Sequence, residues 1–145
     1  MTESVNDPAS QDGRFRVPIE EGKVREFARS LHSSSAAHEG PDAVIPATLL
    51  TTALLWWAPE PNAYGALGFV QERMLHGEEE YVFHGPPPRA GDTLFGSSEL
   101  VEQYEREGRR GGRMRFAKVR TSFYDKAGAL VAEQRSTIIE TARPS

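Results

Sequence analysis

Leu75-His-Gly-Glu-Glu-Glu-Tyr-Val-Phe-His-Gly-Pro-Pro-Pro-Arg-Ala-Gly-Asp-Thr-Leu94 is the most informative segment of this 145-residue chain. Its first part alternates, with Tyr81 and Phe83 on the same face of an extended backbone. Three consecutive prolines follow, and they allow neither a regular helix nor full sheet pairing. Gly91-Asp92 is then typical of a tight turn. The segment predicts a strand, a corner and the start of a second strand.

The C-terminal half of the chain continues the same alternation. It predicts four strands, over residues 78–84, 93–104, 113–124 and 129–140. Glycine-rich turns separate the last three strands, at residues 108–112 and 125–128. Short turns between consecutive strands indicate an antiparallel meander.

The N-terminal half shows helical periodicity instead. Residues 18–31 place Val24, Phe27 and Ala28 on one face, which predicts an amphipathic helix. Residues 43–57, with the helix starting near Pro46, are apolar nearly all round, which predicts a buried helix. The expected fold class is therefore α+β, a single domain whose antiparallel curved sheet wraps around one long buried helix.

Composition excludes several classes of protein. A net charge of −4 argues against a general nucleic-acid binder, and the absence of cysteine excludes disulfides and thiolate catalysis. The four histidines have no metal-ligand spacing, so we expect no metal and no other cofactor. The chain shows neither a signal segment at its start nor an apolar run long enough for a bilayer, which predicts a cytoplasmic protein.

Four pieces of the chain, in order, resemble the N-terminal MaoC-type dehydratase domain, the FAS1-like dehydratases of the hotdog fold. They are residues 15–29 (including Gly22-Lys-Val-Arg-Glu-Phe-Ala28), the segment 75–94, residues 113–128 and residues 130–139. The family's Ala-Pro-Pro-Thr-Phe step is matched only partly, by Val44-Ile-Pro-Ala-Thr-Leu49. The resemblance implies a hotdog domain over residues 15–141, after a flexible segment over residues 1–14.

The resemblance also implies an activity and shows what is missing for it. Members are hydratases and dehydratases of 2-enoyl and 3-hydroxyacyl thioesters, built from two hotdog units side by side. The catalytic unit bears Gly-Asp-x-Asn-Pro-x-His, whose Asp and His provide acid–base catalysis. Here Gly91-Asp92 is followed by Thr93-Leu94, so the motif is incomplete and Asp92 is interpreted as a turn residue.

By this resemblance we expect no catalytic residue in the chain. It would be the pocket-forming subunit of a heteromeric enoyl-CoA hydratase or (3R)-hydroxyacyl-thioester dehydratase, a hydro-lyase. Its substrate would be an acyl-CoA or acyl-ACP, with room for a bulky fatty, polyketide or steroid-derived acyl group. The partner would be a catalytic MaoC-type hotdog subunit, in a heterodimer or heterotetramer, and neither nucleic acid nor a membrane is expected.

The expected binding residues fall into two groups. The candidate substrate contacts are Pro46, Thr48, Trp56, Trp57, His76 and Gly77. The candidate contacts to the phosphates of the thioester carrier are Arg89, Arg113 and Arg115.

Three alternatives remain open at the level of sequence. His38 and Asp42 have the residue types of the dyad in reverse order, and can form a degenerate version of it. A stand-alone hotdog thioesterase would use a carboxylate, Glu39 or Asp42, to activate a water. A non-enzymatic protein would keep an acyl-thioester pocket without turnover.

Overall fold

A computed structural model describes residues 14–56 and 63–142 of the chain. Within these residues one sheet contains β1 (Phe15–Pro18), β2 (Met74–Phe83), β3 (Thr93–Glu107), β4 (Arg113–Tyr124) and β5 (Leu130–Glu140). The strand order is β1-β3-β4-β5-β2, which places β2 at an edge beside β5. The predicted α+β class with an antiparallel sheet is confirmed.

The strands agree closely with the alternation in the sequence. β4 has the predicted bounds, β5 begins one residue later than predicted, and β3 continues to Glu107. β2 begins at Met74, ahead of the predicted residue 78. β1 pairs antiparallel with the start of β3, so that Phe15 lies opposite Gly96 and Pro18 opposite Thr93.

The first helix, α1, covers Glu21–Ser30 and not the predicted residues 18–31. Pro18 closes β1, and the Ile19 amide donates to the Asp92 carbonyl at 2.9 Å, so the chain is still extended there. The apolar face is as predicted, because Val24 and Ala28 are buried. The helix is followed by His32 with a φ of 56°, a left-handed conformation that stops further helical turns.

The second predicted helix is shorter and of a different type. Residues 43–48 are not helical, and a 3₁₀ helix covers Leu49–Trp56. Pro46 explains the late start, since a residue that precedes proline avoids helical backbone angles. Leu49, Leu50 and Ala53 are buried, whereas Leu54 and Leu55 are 53% and 66% exposed. The prediction of a long helix buried all round was wrong; the helix is buried on one side.

Three further 3₁₀ helices are single turns, over Ala36–His38, Gly65–Leu67 and Gln71–Arg73. The chain divides by its contacts into two compact units, and the strands of the sheet other than β1 contribute residues to each. The described parts of the first unit are residues 14–56, 83–97 and 123–132, and those of the second are residues 63–82, 98–122 and 133–142.

The two units differ in what they bury. The buried side chains of the first unit are apolar except for Thr93 and include Val17, Leu50 and Phe123. The second unit buries Leu67, Ala117, Val119 and Ile138 together with five polar residues, Thr121, Glu133, Gln134, Ser136 and Glu140. A buried polar group costs free energy unless it has hydrogen-bond partners, so the second unit depends more than the first on specific pairing.

Candidate functional site

The proline-rich corner is fixed to the segment that precedes the 3₁₀ helix Leu49–Trp56. The Ile45 amide donates to the Pro88 carbonyl at 3.1 Å, and the Ala90 amide donates to the Ala43 carbonyl at 2.8 Å. The Asp92 carboxylate accepts from the Arg89 amide at 2.8 Å. Asp92 thus closes the corner, in the turn role that its sequence context indicates.

His38 and Asp42 lie in the same region but are bound to different groups. The His38 Nδ1 donates to the Val44 carbonyl at 2.7 Å, which leaves Nε2 without its proton when the ring is neutral. Asp42 is largely exposed, and it receives the Arg89 guanidinium at its carbonyl, 3.0 Å away, and at its carboxylate, 3.4 Å away. Among the described residues, no hydrogen bond or ion pair joins His38 to Asp42.

A cleft of about 490 Å³ lies beside the proline-rich corner. Arg89 and Lys126 line it, together with Asp92 and Asp125. Both carboxylates already accept backbone amides, Asp92 from Arg89 and Asp125 from Ala127 and Ala129, each at 2.8 to 2.9 Å. Arg89 and Lys126 give the cleft two cationic groups that are able to bind an anionic group such as phosphate, beside the two carboxylates.

Lys126 is a residue that sequence reasoning missed. The sequence places it in the turn at residues 125–128, and nothing in the local pattern connects that turn with the corner at residues 86–92. Only the folded sheet brings the two loops to the same cleft.

The candidate substrate contacts near the 3₁₀ helix occupy different environments. Pro46 is buried, and its carbonyl accepts the Leu49 amide at 3.0 Å, which begins the helix. Thr48 is exposed. Trp56 is 40% exposed and continues the apolar surface of Leu54 and Leu55, whereas Trp57 lies outside the described residues.

His76 and Gly77 lie on the edge strand β2, and both are exposed. A Cβ on Gly77 would meet Ile139 Cδ1 at 2.8 Å and Cγ1 at 3.2 Å. The Ile139 side chain of β5 therefore occupies the space that the missing side chain of Gly77 leaves. The assignment of His76 and Gly77 as substrate contacts remains a prediction.

Arg113 and Arg115 are neighbours on β4, but they make different ion pairs. Arg113 is exposed and lies 3.2 Å from the Glu105 carboxylate. Arg115 binds the buried Glu140 with two nitrogens, Nε at 3.0 Å from Oε1 and a terminal nitrogen at 2.8 Å from Oε2. The Arg115 guanidinium also lies over the Phe69 ring, 4.7 Å from its centroid. Arg115 thus has less capacity for a carrier phosphate than Arg113.

Glu140 is a second residue of this region that the sequence analysis did not single out. Its carboxylate also accepts the Val70 amide at 2.6 Å and lies 3.4 Å from Arg73. The hydrogen bonds from Arg115 and Val70 lower the pKa of Glu140 from its usual 4.5 to about 2. Glu140 anchors the segment around residues 68–73, so its role is structural and not catalytic.

Tyr64 contributes a polar group to the same unit. Burial raises the pKa of the Tyr64 phenol, Glu79 and Tyr81 raise it further, and the Ser136 hydroxyl opposes them. The phenol is therefore protonated at neutral pH and able to donate. Thr121 is buried, and its hydroxyl has no hydrogen-bond partner within the described ranges.

Two features are absent from residues 14–56 and 63–142. No helix there is long and apolar enough to cross a membrane. No three residues among His, Asp and Glu there stand together as a metal site.

Structural relatives were found among solved structures. The chain is 23% identical to a chain of the "C terminal truncated HadBC (3R-Hydroxyacyl-ACP Dehydratase) complex" from Mycobacterium tuberculosis, with a TM-score of 0.68, 87% of this chain and 92% of that chain covered. It is 23% identical to a "MaoC-like dehydratase", with a TM-score of 0.72, covering 88% of this chain but only 40% of that one. It is 12% identical to a chain of the ChsH1-ChsH2 complex from M. tuberculosis, with a TM-score of 0.63, 91% and 83% covered.

These likenesses confirm the hotdog fold, and no curated protein matches the sequence. A family described as "FAS1-like, dehydratase domain region" matches residues 9–134, most of the chain. The match confirms the family that the segment 75–94 and the three other pieces indicate. The family is one of hydratases and dehydratases. The chain belongs to the FAS1-like dehydratase domain region family.

Proposed function

We propose that this chain is the non-catalytic, pocket-forming subunit of a heteromeric enoyl-thioester hydratase or 3-hydroxyacyl-thioester dehydratase. The observation that carries the proposal is that the two candidate acid–base groups of the chain are each bound to another partner. His38 is bound to the Val44 carbonyl and Asp42 to Arg89. Hydration of an enoyl thioester needs a base for the water and an acid for the α-carbon, held on one reacting centre. A partner chain with Gly-Asp-x-Asn-Pro-x-His would supply that pair.

Two features of the chain support a role in binding the thioester. The cleft at the proline-rich corner presents Arg89 and Lys126, which suits the phosphates of coenzyme A or of a phosphopantetheine arm. The exposed apolar surface of Leu54, Leu55 and Trp56 suits an acyl chain, because exposed apolar groups of this size are usually covered in an assembly. The complex would act in the cytoplasm.

The test begins with affinity purification of the tagged chain from its native host and mass identification of what accompanies it. We expect a second hotdog chain with the complete motif, in equal amount. Hydration of crotonyl and longer enoyl thioesters by the complex is then followed by loss of the enoyl absorbance, with each chain alone as the control. Substitution of the partner's Asp or His should abolish turnover. A lone homodimer that hydrates or hydrolyses thioesters without a partner would refute the proposal.

A further inference from the structure

Two hydroxyls of the second unit, those of Thr121 and Ser136, are buried without a partner. Thr121 is 1% exposed and Ser136 is 2% exposed. Within the described residues neither hydroxyl takes part in a hydrogen bond. A buried hydroxyl without a partner costs free energy, and a water or a ligand offsets that cost when it supplies the missing hydrogen bond. The two hydroxyls therefore mark a place where something outside the chain binds.

The two hydroxyls lie on the same face of the sheet. Their strands, β4 and β5, are neighbours, and the side chain of Arg115 on β4 binds the side chain of Glu140 on β5. Because side chains alternate along a strand, the odd-numbered residues of β4 share this face with the even-numbered residues of β5. Burial follows the same alternation in both strands. Thr121 and Ser136 thus belong to one buried surface.

Further polar side chains of the same unit connect this surface with the solvent. The Ser136 hydroxyl lies near the Tyr64 phenol and lowers its pKa, which burial raises by more. Gln134, also on the buried face, donates its amide to Glu79 of β2 at 3.1 Å. Tyr64 is half-buried and Glu79 is exposed. We call Tyr64, Glu79, Thr121, Gln134 and Ser136 the polar cluster, and it extends from the two hydroxyls to the surface of the second unit.

The charges of the polar cluster indicate which kind of group it binds. Glu79 is the charged member, and it would repel a second anion such as a carboxylate or a phosphate. The hydroxyls of Thr121 and Ser136 donate and accept without charge, so they match a neutral oxygen such as that of an alcohol or a ketone. A plain hydrocarbon chain in the same place would leave both hydroxyls unpaired.

We propose that the acyl group of the thioester carries a neutral oxygen, an alcohol or a ketone, which hydrogen-bonds to Thr121 and Ser136. The inference rests on the proposed function and adds the chemical class of the acyl group. A site with buried polar groups discriminates strongly against an analogue that lacks the matching oxygen, because those groups then stay unpaired. Thr121 and Ser136 are thus residues of substrate specificity.

The probes are dodecanoyl-CoA and a set of dodecanoyl-CoA derivatives with one hydroxyl, moved stepwise along the acyl chain beyond the reacting carbons. Dissociation constants are measured by titration calorimetry with the complex of the chain and its partner, and with the chain by itself where it is isolated alone. We expect at least one hydroxylated probe to bind roughly tenfold more tightly than dodecanoyl-CoA. Equal affinity of wild type for all the probes would mean that the hydroxyls bind only water, and it would overturn the inference.

Two variants show whether the preference comes from these hydroxyls. Thr121→Val keeps the shape of the side chain and removes its hydroxyl, and Ser136→Ala removes the other. Each should reduce the preference for the hydroxylated probe and leave the affinity for dodecanoyl-CoA unchanged. If one variant does not fold, the other decides the result. A preference that survives both substitutions would place the oxygen elsewhere and refute the inference.

Thermal melts without ligand test the unpaired state of the Thr121 hydroxyl. Thr121→Val removes a buried group that has no partner, so its melting temperature should rise. Thr141→Val is the matched control, because the Thr141 hydroxyl donates to the Arg73 carbonyl at 3.2 Å. It should melt at a lower temperature and keep the preference of wild type. An equal fall in both variants would show that Thr121 is already paired, against the inference.

The same titrations separate this inference from the proposed function. If neither the chain nor its complex binds any of the thioesters, the proposed function fails and the inference fails with it. If the thioesters bind with equal affinity, the inference alone is refuted and the proposed function stands.

Discussion

Glu140 is the carboxylate on which two arginines and a backbone amide meet. Its pKa of about 2, against a usual 4.5, means that the ionised form is favoured in the folded chain. The stabilisation is complete above about pH 4.5 and is lost as the pH falls towards 2. We predict that Glu140→Gln lowers the melting temperature at pH 7 and flattens its dependence on pH between 4.5 and 2.

The matched control for this prediction is Glu102→Gln. Glu102 also forms an ion pair on the sheet, with Lys118, but both side chains are about half exposed. Such an exposed pair contributes little to stability. Thermal melts of the three proteins across the acid range give the comparison. A Glu140→Gln profile that is parallel to that of wild type would show that Glu140 does not carry the acid dependence.

His38 provides the residue-level test of the missing dyad. His38→Ala removes a hydrogen bond to the Val44 carbonyl, so we expect a loss of about 1 kcal/mol in the free energy of unfolding. A general acid or base contributes roughly 10²–10⁴-fold to turnover. We predict that kcat of the complex with its partner does not change on this scale. Denaturant unfolding and the hydration assay measure the two effects, and a fall of about 100-fold would make His38 catalytic.

At the level of elements, β1 is held to β3 by an aromatic ring over a glycine. Phe15 lies opposite Gly96, and a Cβ at Gly96 would collide with three carbons of the Phe15 ring. The ring also makes an edge-to-face contact with Phe123, at 6.4 Å between centroids. We predict that Gly96→Ala displaces the ring and lowers the free energy of unfolding by about 1–3 kcal/mol.

Gly22→Ala is the control for Gly96→Ala, because it should change stability in the opposite direction. Gly22 lies within α1, and a Cβ there would meet no atom within 4 Å. Alanine restricts the unfolded chain and favours the helix, so we expect a gain of about 0.4–1 kcal/mol. Denaturant titrations of both variants are decisive. Two losses of equal size would mean that a general effect, and not the Phe15 ring, is responsible.

The elements also show which signals in the sequence were reliable. β4 was predicted to the residue because alternation fixes its faces and glycine turns bound it at both ends. The helix over residues 43–57 was wrong because apolar content alone cannot separate a buried α-helix from a shorter 3₁₀ helix. Pro46 and the β-branched Thr51 and Thr52 disfavour a long α-helix, and the apolar pattern does not take this into account.

At the level of the whole molecule, the family and the missing motif could be predicted, but the pairing of charges could not. Arg115 was assigned to a phosphate because it lies in a basic cluster, whereas its guanidinium binds Glu140, 25 residues further along the chain. The register of β4 against β5 brings the two side chains together, and no local spacing encodes that register. Lys126 lies in the same cleft as Arg89 because the fold brings two loops together that are far apart in the sequence. No local spacing predicts this.

The exposed end of the 3₁₀ helix gives the prediction that concerns the complete enzyme. Trp56 is 40% exposed, so Trp56→Ala removes part of its packing within the chain and should lower the melting temperature of the lone chain without unfolding it. If its ring contacts the acyl chain in the complex, kcat/KM for a long enoyl thioester should fall about tenfold, while that for crotonyl thioester stays the same. Leu100→Ala, at 44% exposure on β3, is the control and should affect neither substrate. An equal loss for long and short substrates would place Trp56 in the contact between the subunits and not in the acyl pocket.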